Sequence, residues 1–168
     1  MMLELQEQGA LNINLVTPMH FAPQVKKAIM LAKRAGLNLP IVCNTSGYEL
    51  VQVVRAMGDV IDVWLTDFKY ADARLAKELS YARDYPDVAA AALTEMLSLL
   101  RAHGGRKMGT NGSMQQGIIV RHLVLPGHAD DSCKVLNRIW NICGNDVDVS
   151  IMNQYTPNER CLKQGGLL

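Results

Sequence analysis

Short apolar runs alternate with longer stretches that carry apolar residues at helical spacing. Ile13-Asn14-Leu15-Val16 reads as a short buried-type strand. After it, Pro23 opens a helix at a position where its missing N–H costs little, and Val25, Ala28, Ile29 and Ala32 form the helix's apolar face until Gly36. Pro40-Ile41-Val42-Cys43 is the next strand. Leu50, Val53, Val54 and Met57 follow at i, i+3, i+4, i+7, a helical stripe ended by Gly58. Asp62-Val63-Trp64-Leu65 is a third strand, followed by helical segments over 73–79 and 87–100. The run from Ile118 to Leu125 is the strongest strand in the chain, broken by Pro126-Gly127-His128. Asp130, Asp131 and Ser132 can cap a helix carrying Leu136, Ile139, Trp140 and Cys143, and Val147 to Ile151 forms a last strand. The opening segment Met1 to Gln8 reads as the end of a helix stopped by Gly9. The polar, Gly-rich stretch from His103 to Gln116 reads as a long loop.

Five apolar strands, four of them linked by helical crossovers, predict an α/β fold with a parallel sheet covered on both faces. Periodicity alone fits an open doubly wound sheet and a barrel equally. The length of 168 residues suits one domain or part of a larger one.

With 49% hydrophobic residues the chain can bury a core, and its net charge of +1 with no basic block excludes an electrostatic nucleic-acid or anionic-membrane surface. No apolar run reaches membrane-spanning length and no signal-peptide pattern is present, so the expected location is cytoplasmic. Cys43, Cys133, Cys143 and Cys161 are scattered, with none at the C-x-x-C spacing of metal ligands, and read as free thiols.

Parallel α/β folds bind ligands at the carboxyl ends of their strands. Each strand here ends in polar residues: Thr17-Pro18-Met19-His20, Asn44-Thr45-Ser46-Gly47, Asp67 with Lys69, Arg121 and His122 ahead of Gly127-His128, and Asn153-Gln154. Asp67 and Lys69 lie two apart, so on a strand they point the same way and together could hold a zwitterion. A structural ion pair is the alternative. Arg121 shares a face with Leu123 and needs an anion if it points inward, either a ligand or Asp67 itself. His20 and His128 also read as plain loop histidines. No Ser–His–Asp order or paired-carboxylate spacing stands out.

Several blocks together carry a resemblance. They are Leu5-Gln6-Glu7-Gln8-Gly9, Asn12-Ile13-Asn14-Leu15-Val16-Thr17-Pro18, Asn44-Thr45-Ser46-Gly47-Tyr48-Glu49, Asp67-Phe68-Lys69-Tyr70, Val120-Arg121-His122-Leu123-Val124-Leu125-Pro126-Gly127-His128 and Met152-Asn153-Gln154-Tyr155-Thr156-Pro157. In order and approximate spacing they resemble the radical S-adenosylmethionine proteins related to pyruvate formate-lyase activating enzyme. The resemblance implies a partial (β/α)6 barrel, with S-adenosylmethionine and a [4Fe-4S] cluster as cofactors. An electron from the cluster would cleave the sulfonium to a 5′-deoxyadenosyl radical, and a partner protein could be the substrate. It also implies site roles. Thr17, Pro18, His20, Asn44, Ser46, Asp67, Lys69 and Asn153 would meet the cofactor, and Arg121 and Lys69 would act near the reacting centre.

The sequence departs from that pattern at Met19, Cys43 and Thr66, and above all in lacking C-x-x-x-C-x-x-C. In the family this triplet lies upstream of the segment matching Met1. The expectation is therefore an incomplete core over residues 1–157, with Met1 an internal methionine, a divergent tail over 158–168, and an open sheet edge able to self-associate. Without its three thiolates the cluster would not assemble, and the chain as it stands would be inactive. Two other readings stay open: a Schiff-base, aldolase-type barrel using Lys69, and a non-catalytic remnant that binds a partner through its open edge.

Overall fold

The computed structural model describes residues 1–156, so Pro157, the tail over 158–168 and Cys161 lie outside the described residues. The chain begins with helix α1 (Met2–Glu7), strand β1 (Ile13–Val16), a 3-10 turn (Pro18–Phe21) and α2 (Ala22–Arg34). Then come β2 (Ile41–Thr45), α3 (Val51–Met57), β3 (Val63–Asp67), α4 (Ala73–Ser80) and α5 (Tyr85–Ala102). The last elements are β4 (Lys107–Met108), β5 (Met114–Leu123), α6 (Ala129–Cys143) and β6 (Asp148–Met152).

Local chemistry explains most of these boundaries. Pro23 sits in the first turn of α2, and Lys33 and Arg34 in its last turn complement the helix dipole. Asp72 caps α4, its carboxylate accepting from the N–H groups of Arg74 and Leu75, and these bonds hold its pKa below the usual value. The predicted cap of α6 is not formed. His128 occupies the N-cap without a side-chain bond, and Asp131 instead accepts from the backbone N–H groups of Ala71 and Asp72. The buried carboxylate thereby satisfies two donors in the turn after β3 rather than those of its own helix.

The sheet has six strands. β1, β2, β3, β5 and β6 are all parallel and neighbour one another in chain order, and β4 pairs antiparallel with the start of β5. The stretch from His103 to Gln116 is thus only partly loop: Lys107 pairs with Gln116 and Met108 with Met114 in a hairpin that extends β5 backwards. β5 correspondingly starts at Met114 and ends at Leu123 rather than spanning 118–125.

Strands added in one direction, with connections of one hand, place every crossover helix on the same side. Ile41, Cys43, Trp64, Ile118 and Val120 pack there with Ile29, Val54, Met57, Leu93, Met96, Val135 and Ile139 of α2, α3, α5 and α6 in one core. The helices therefore cover one face of the sheet, not the two faces that periodicity alone predicts. The opposite face presents Val42 and Val63, which are buried outside that core, and then Asn44, Leu65, Asp67, Ile119 and Arg121. This is the layout of a partial barrel, whose uncovered face is its interior. Among the described residues the outer edge of β1 has no strand partner, and Val16 there is 70% exposed.

Candidate functional site

A cavity of about 430 Å³ opens at the carboxyl ends of β3, β5 and β6. Asp67, Lys69, Arg121 and Gln154 supply its polar groups, and Tyr70, Leu123, Leu125 and Met152 its apolar wall. The volume suits a small organic ligand.

Register builds the polar side. Asp67 and Arg121 are direct neighbours across β3 and β5, and Asn44 lies on the same face of β2 one row earlier. The Arg121 guanidinium donates from Nε to Asp67 Oδ1 at 2.9 Å, and its Nη2 forms an ion-pair contact with the same oxygen at 2.7 Å. Nη2 also reaches Asn44 Oδ1 at 2.7 Å. Arg121 therefore points inward and meets the anion that its burial demands, and that anion is Asp67. Lys69 Nζ stands 3.9 Å from Asp67 Oδ2, beyond hydrogen-bond length, with the lysine side chain 42% exposed. Two cations thus face one carboxylate at the cavity wall, an excess positive charge that favours an anionic group on the ligand.

Behind this wall, His122 points the other way into the core. Its Nδ1 lies 2.8 Å from the Phe68 carbonyl and its Nε2 2.9 Å from Ser132 Oγ. A carbonyl can only accept, so Nδ1 donates to Phe68, while Nε2 pairs with the Ser132 hydroxyl, which also lies 3.4 Å from the His128 carbonyl. The pair is buried and fastens α6 to the end of β3.

The other predicted site residues fall outside the cavity. Thr17 is exposed in the left-handed region at φ 51°, its N–H bonded to the Asn44 carbonyl at 2.8 Å. Pro18 is buried and His20 exposed in the turn after β1. The Ser46 hydroxyl accepts from the Tyr48 N–H at 3.4 Å, a local turn bond. Asn153 is exposed past the end of β6, and its neighbours Met152 and Gln154 line the cavity instead. One group without a sequence-predicted role stands near the β1 and β2 ends. Glu49 accepts from Thr45 Oγ1, and burial raises its pKa against the opposing pull of that bond and of His20.

Chain order of the strands, helices on one face and a polar cavity at the strand ends decide the fold comparison. The chain shares its fold with a pyruvate-formate lyase-activating enzyme domain. That crystal structure, from Bacteroides vulgatus, superposes with a TM-score of 0.61 at 12% identity and covers 92% of this chain and 90% of its own. Among curated proteins, an uncharacterized protein of Methanocaldococcus jannaschii is 29% identical over 123 residues, which are 71% of this chain and 30% of the relative. The chain therefore spans less than a third of that relative's length. No protein-family model matches.

The described residues do not fit an iron–sulfur cluster. Among the described residues no group of three or more His, Cys, Asp or Glu side chains is placed to hold a metal ion. Cys43 and Cys143 are buried in the core, where burial pushes their thiols up to about 12 and about 11, and Cys133 lies exposed on α6. Cluster ligation needs thiolates converging on one point; no such group forms among the described residues, and burial disfavours ionisation of Cys43 and Cys143. Among the described residues no helix is long and apolar enough to cross a membrane.

Proposed function

We propose that this chain forms the S-adenosylmethionine-binding part of a radical enzyme core of the activating-enzyme type. The observation that supports this reading is the Asn44–Arg121–Asp67–Lys69 cluster at the strand ends of a partial barrel. The amino-acid end of the cofactor is a zwitterion. Its carboxylate suits Lys69 and Arg121, and its ammonium suits Asp67, the carboxylate between them. Arg121 fixes the Asp67 carboxylate before the ligand arrives, so less order is lost on binding. Tyr70, Leu123, Leu125 and Met152 offer apolar surface for the rest of the molecule. When bound, S-adenosylmethionine supplies a cleavable sulfonium carbon–sulfur bond. The described residues hold no cluster, and no electron-transfer step is assigned to them; in this reading the cluster ligands lie outside them. Arg121 and Lys69 orient the methionyl end, and Asp67 balances their charge.

Calorimetric titration tests the proposal. S-Adenosylmethionine should bind, methionine should compete, and adenosine alone should not. Lys69→Met should weaken binding about tenfold, the worth of one charge-assisted hydrogen bond. Equal binding of adenosine, or no uptake of S-adenosylmethionine, would overturn it. A Schiff-base role for Lys69 is the weaker alternative. Such lysines are activated chiefly by desolvation in an apolar pocket, whereas Lys69 sits half-exposed beside a carboxylate.

A further inference from the structure

Tyr85 begins α5, yet the residue is only 3% exposed and its hydroxyl serves other elements. The hydroxyl donates to the Ser46 carbonyl at 2.8 Å, with the Asp67 carbonyl a second acceptor at 3.2 Å. It also accepts from the Lys69 N–H at 3.0 Å. The ring meets Tyr70, a wall of the cavity, edge-on at 5.5 Å, and stacks on Tyr48 at 5.9 Å. Tyr48 is held in turn by its hydroxyl donating to Asp84 at 2.7 Å. One phenol thus touches the end of β2, the end of β3, the turn carrying Lys69 and the cavity wall.

The location gives these contacts their consequence. The β2–β3 ladder stops at Thr45 and Thr66, so beyond that row no strand pairing fixes Ser46 against Asp67 and Lys69. Gly47 crosses so close to Asp67 that a Cβ would lie 2.2 Å from its carbonyl oxygen. The two strand ends are packed tightly there without a sheet bond between them, and the Tyr85 hydroxyl bridges them. Burial raises the phenol's pKa, so the bridge keeps its donor proton across the physiological range.

We infer that Tyr85 is a positioning residue whose hydroxyl sets the spacing of the β2 and β3 ends, and with it the aim of Asp67 and Lys69 into the cavity. Its effect on ligand affinity rests on the reading of that cavity as the binding site; its effect on the Asp67–Arg121 contact does not.

Tyr85→Phe removes one oxygen and keeps the ring, and Val135→Ala, in the α6 core, serves as a control of lowered stability away from the cavity. Two readouts are taken at matched fractions folded. The first is S-adenosylmethionine affinity, expected to fall about 5- to 10-fold in Tyr85→Phe, the range set by one hydrogen bond, and to hold in Val135→Ala. The second is solvent exchange of the Arg121 Nε–H by NMR, expected to quicken in Tyr85→Phe alone as Asp67 loses its fixed aim. A Tyr85→Phe protein that is less stable but matches wild type in both readouts would overturn the inference. If wild-type protein takes up no S-adenosylmethionine, the proposed function falls, and the Arg121 signal still decides the positioning role.

Discussion

Replacing Arg121 with Met tests the polar cluster most sharply, because it removes the charge and keeps much of the side chain's bulk. Asp67 then loses one donated hydrogen bond and its ion-pair partner, and Asn44 Oδ1 loses one donor. The side chains of Arg121 and Asp67 are 25% and 19% exposed, so the pair lies between a surface and a buried ion pair. Exposed pairs contribute a fraction of a kcal/mol, and breaking a buried one costs roughly 3–5 kcal/mol, which places this loss at about 2 kcal/mol. For a domain of this size that corresponds to a fall in Tm of about 4–8 °C. Urea and thermal unfolding at neutral pH measure it. Asp67→Asn in the Arg121→Met background should cost less than the two single changes added, because the stranded carboxylate is gone, with a coupling of about 1 kcal/mol. Arg121→Met within about 0.5 kcal/mol of wild type, roughly the scatter of neutral surface changes, or strictly additive effects, would mean that the ion pair contributes nothing to the fold.

Gly47→Ala should destabilise the fold by about 2–3 kcal/mol or more, since φ is +79° and the new Cβ would strike the Asp67 carbonyl; chemical denaturation reads it. In folded protein at pH 8, maleimide should label Cys133 while Cys43 and Cys143 stay unmodified, with peptide mass spectrometry locating the adducts. Burial raises the Glu49 pKa, so the folded state holds its proton more tightly than the unfolded chain does. Stability contributed by this group is then present below the unfolded value and lost as pH rises through the folded one. Glu49→Gln should therefore flatten the pH profile above the ordinary carboxylate range and raise stability at pH 7, as followed by Tm against pH.

The strands and crossover helices were legible because apolar runs and Pro or Gly punctuation coincide along this chain. The β4–β5 hairpin was not: Gly109, Gly112 and the polar residues around them show no apolar alternation, and the pairing rests on backbone bonds and on polar side-chain bonds such as Lys107 to Gln116. Helices on one face follow from the order of strands in the sheet, which local periodicity does not encode. At the site, the shared direction of Asp67 and Lys69 was readable from a spacing of two. The contact of Asp67 with Arg121 spans 54 positions and was foreseeable only as one of two partners for an inward arginine. Tyr85 gave no signal, because an aromatic at a helix start is ordinary and its hydroxyl's partners are main-chain groups. Asp131 misled for a related reason: an acidic residue at a helix start suggests a cap, and here it serves a turn on another element.

Whether the strand-end cavity receives the zwitterionic end of S-adenosylmethionine is decided by NMR titration of isotope-labelled protein. Saturable shifts should centre on Lys69, Tyr70, Arg121 and Gln154, be shared by methionine and be abolished in Arg121→Met/Lys69→Met. Shifts confined to another surface, or a spectrum unchanged at millimolar ligand, would contradict binding there.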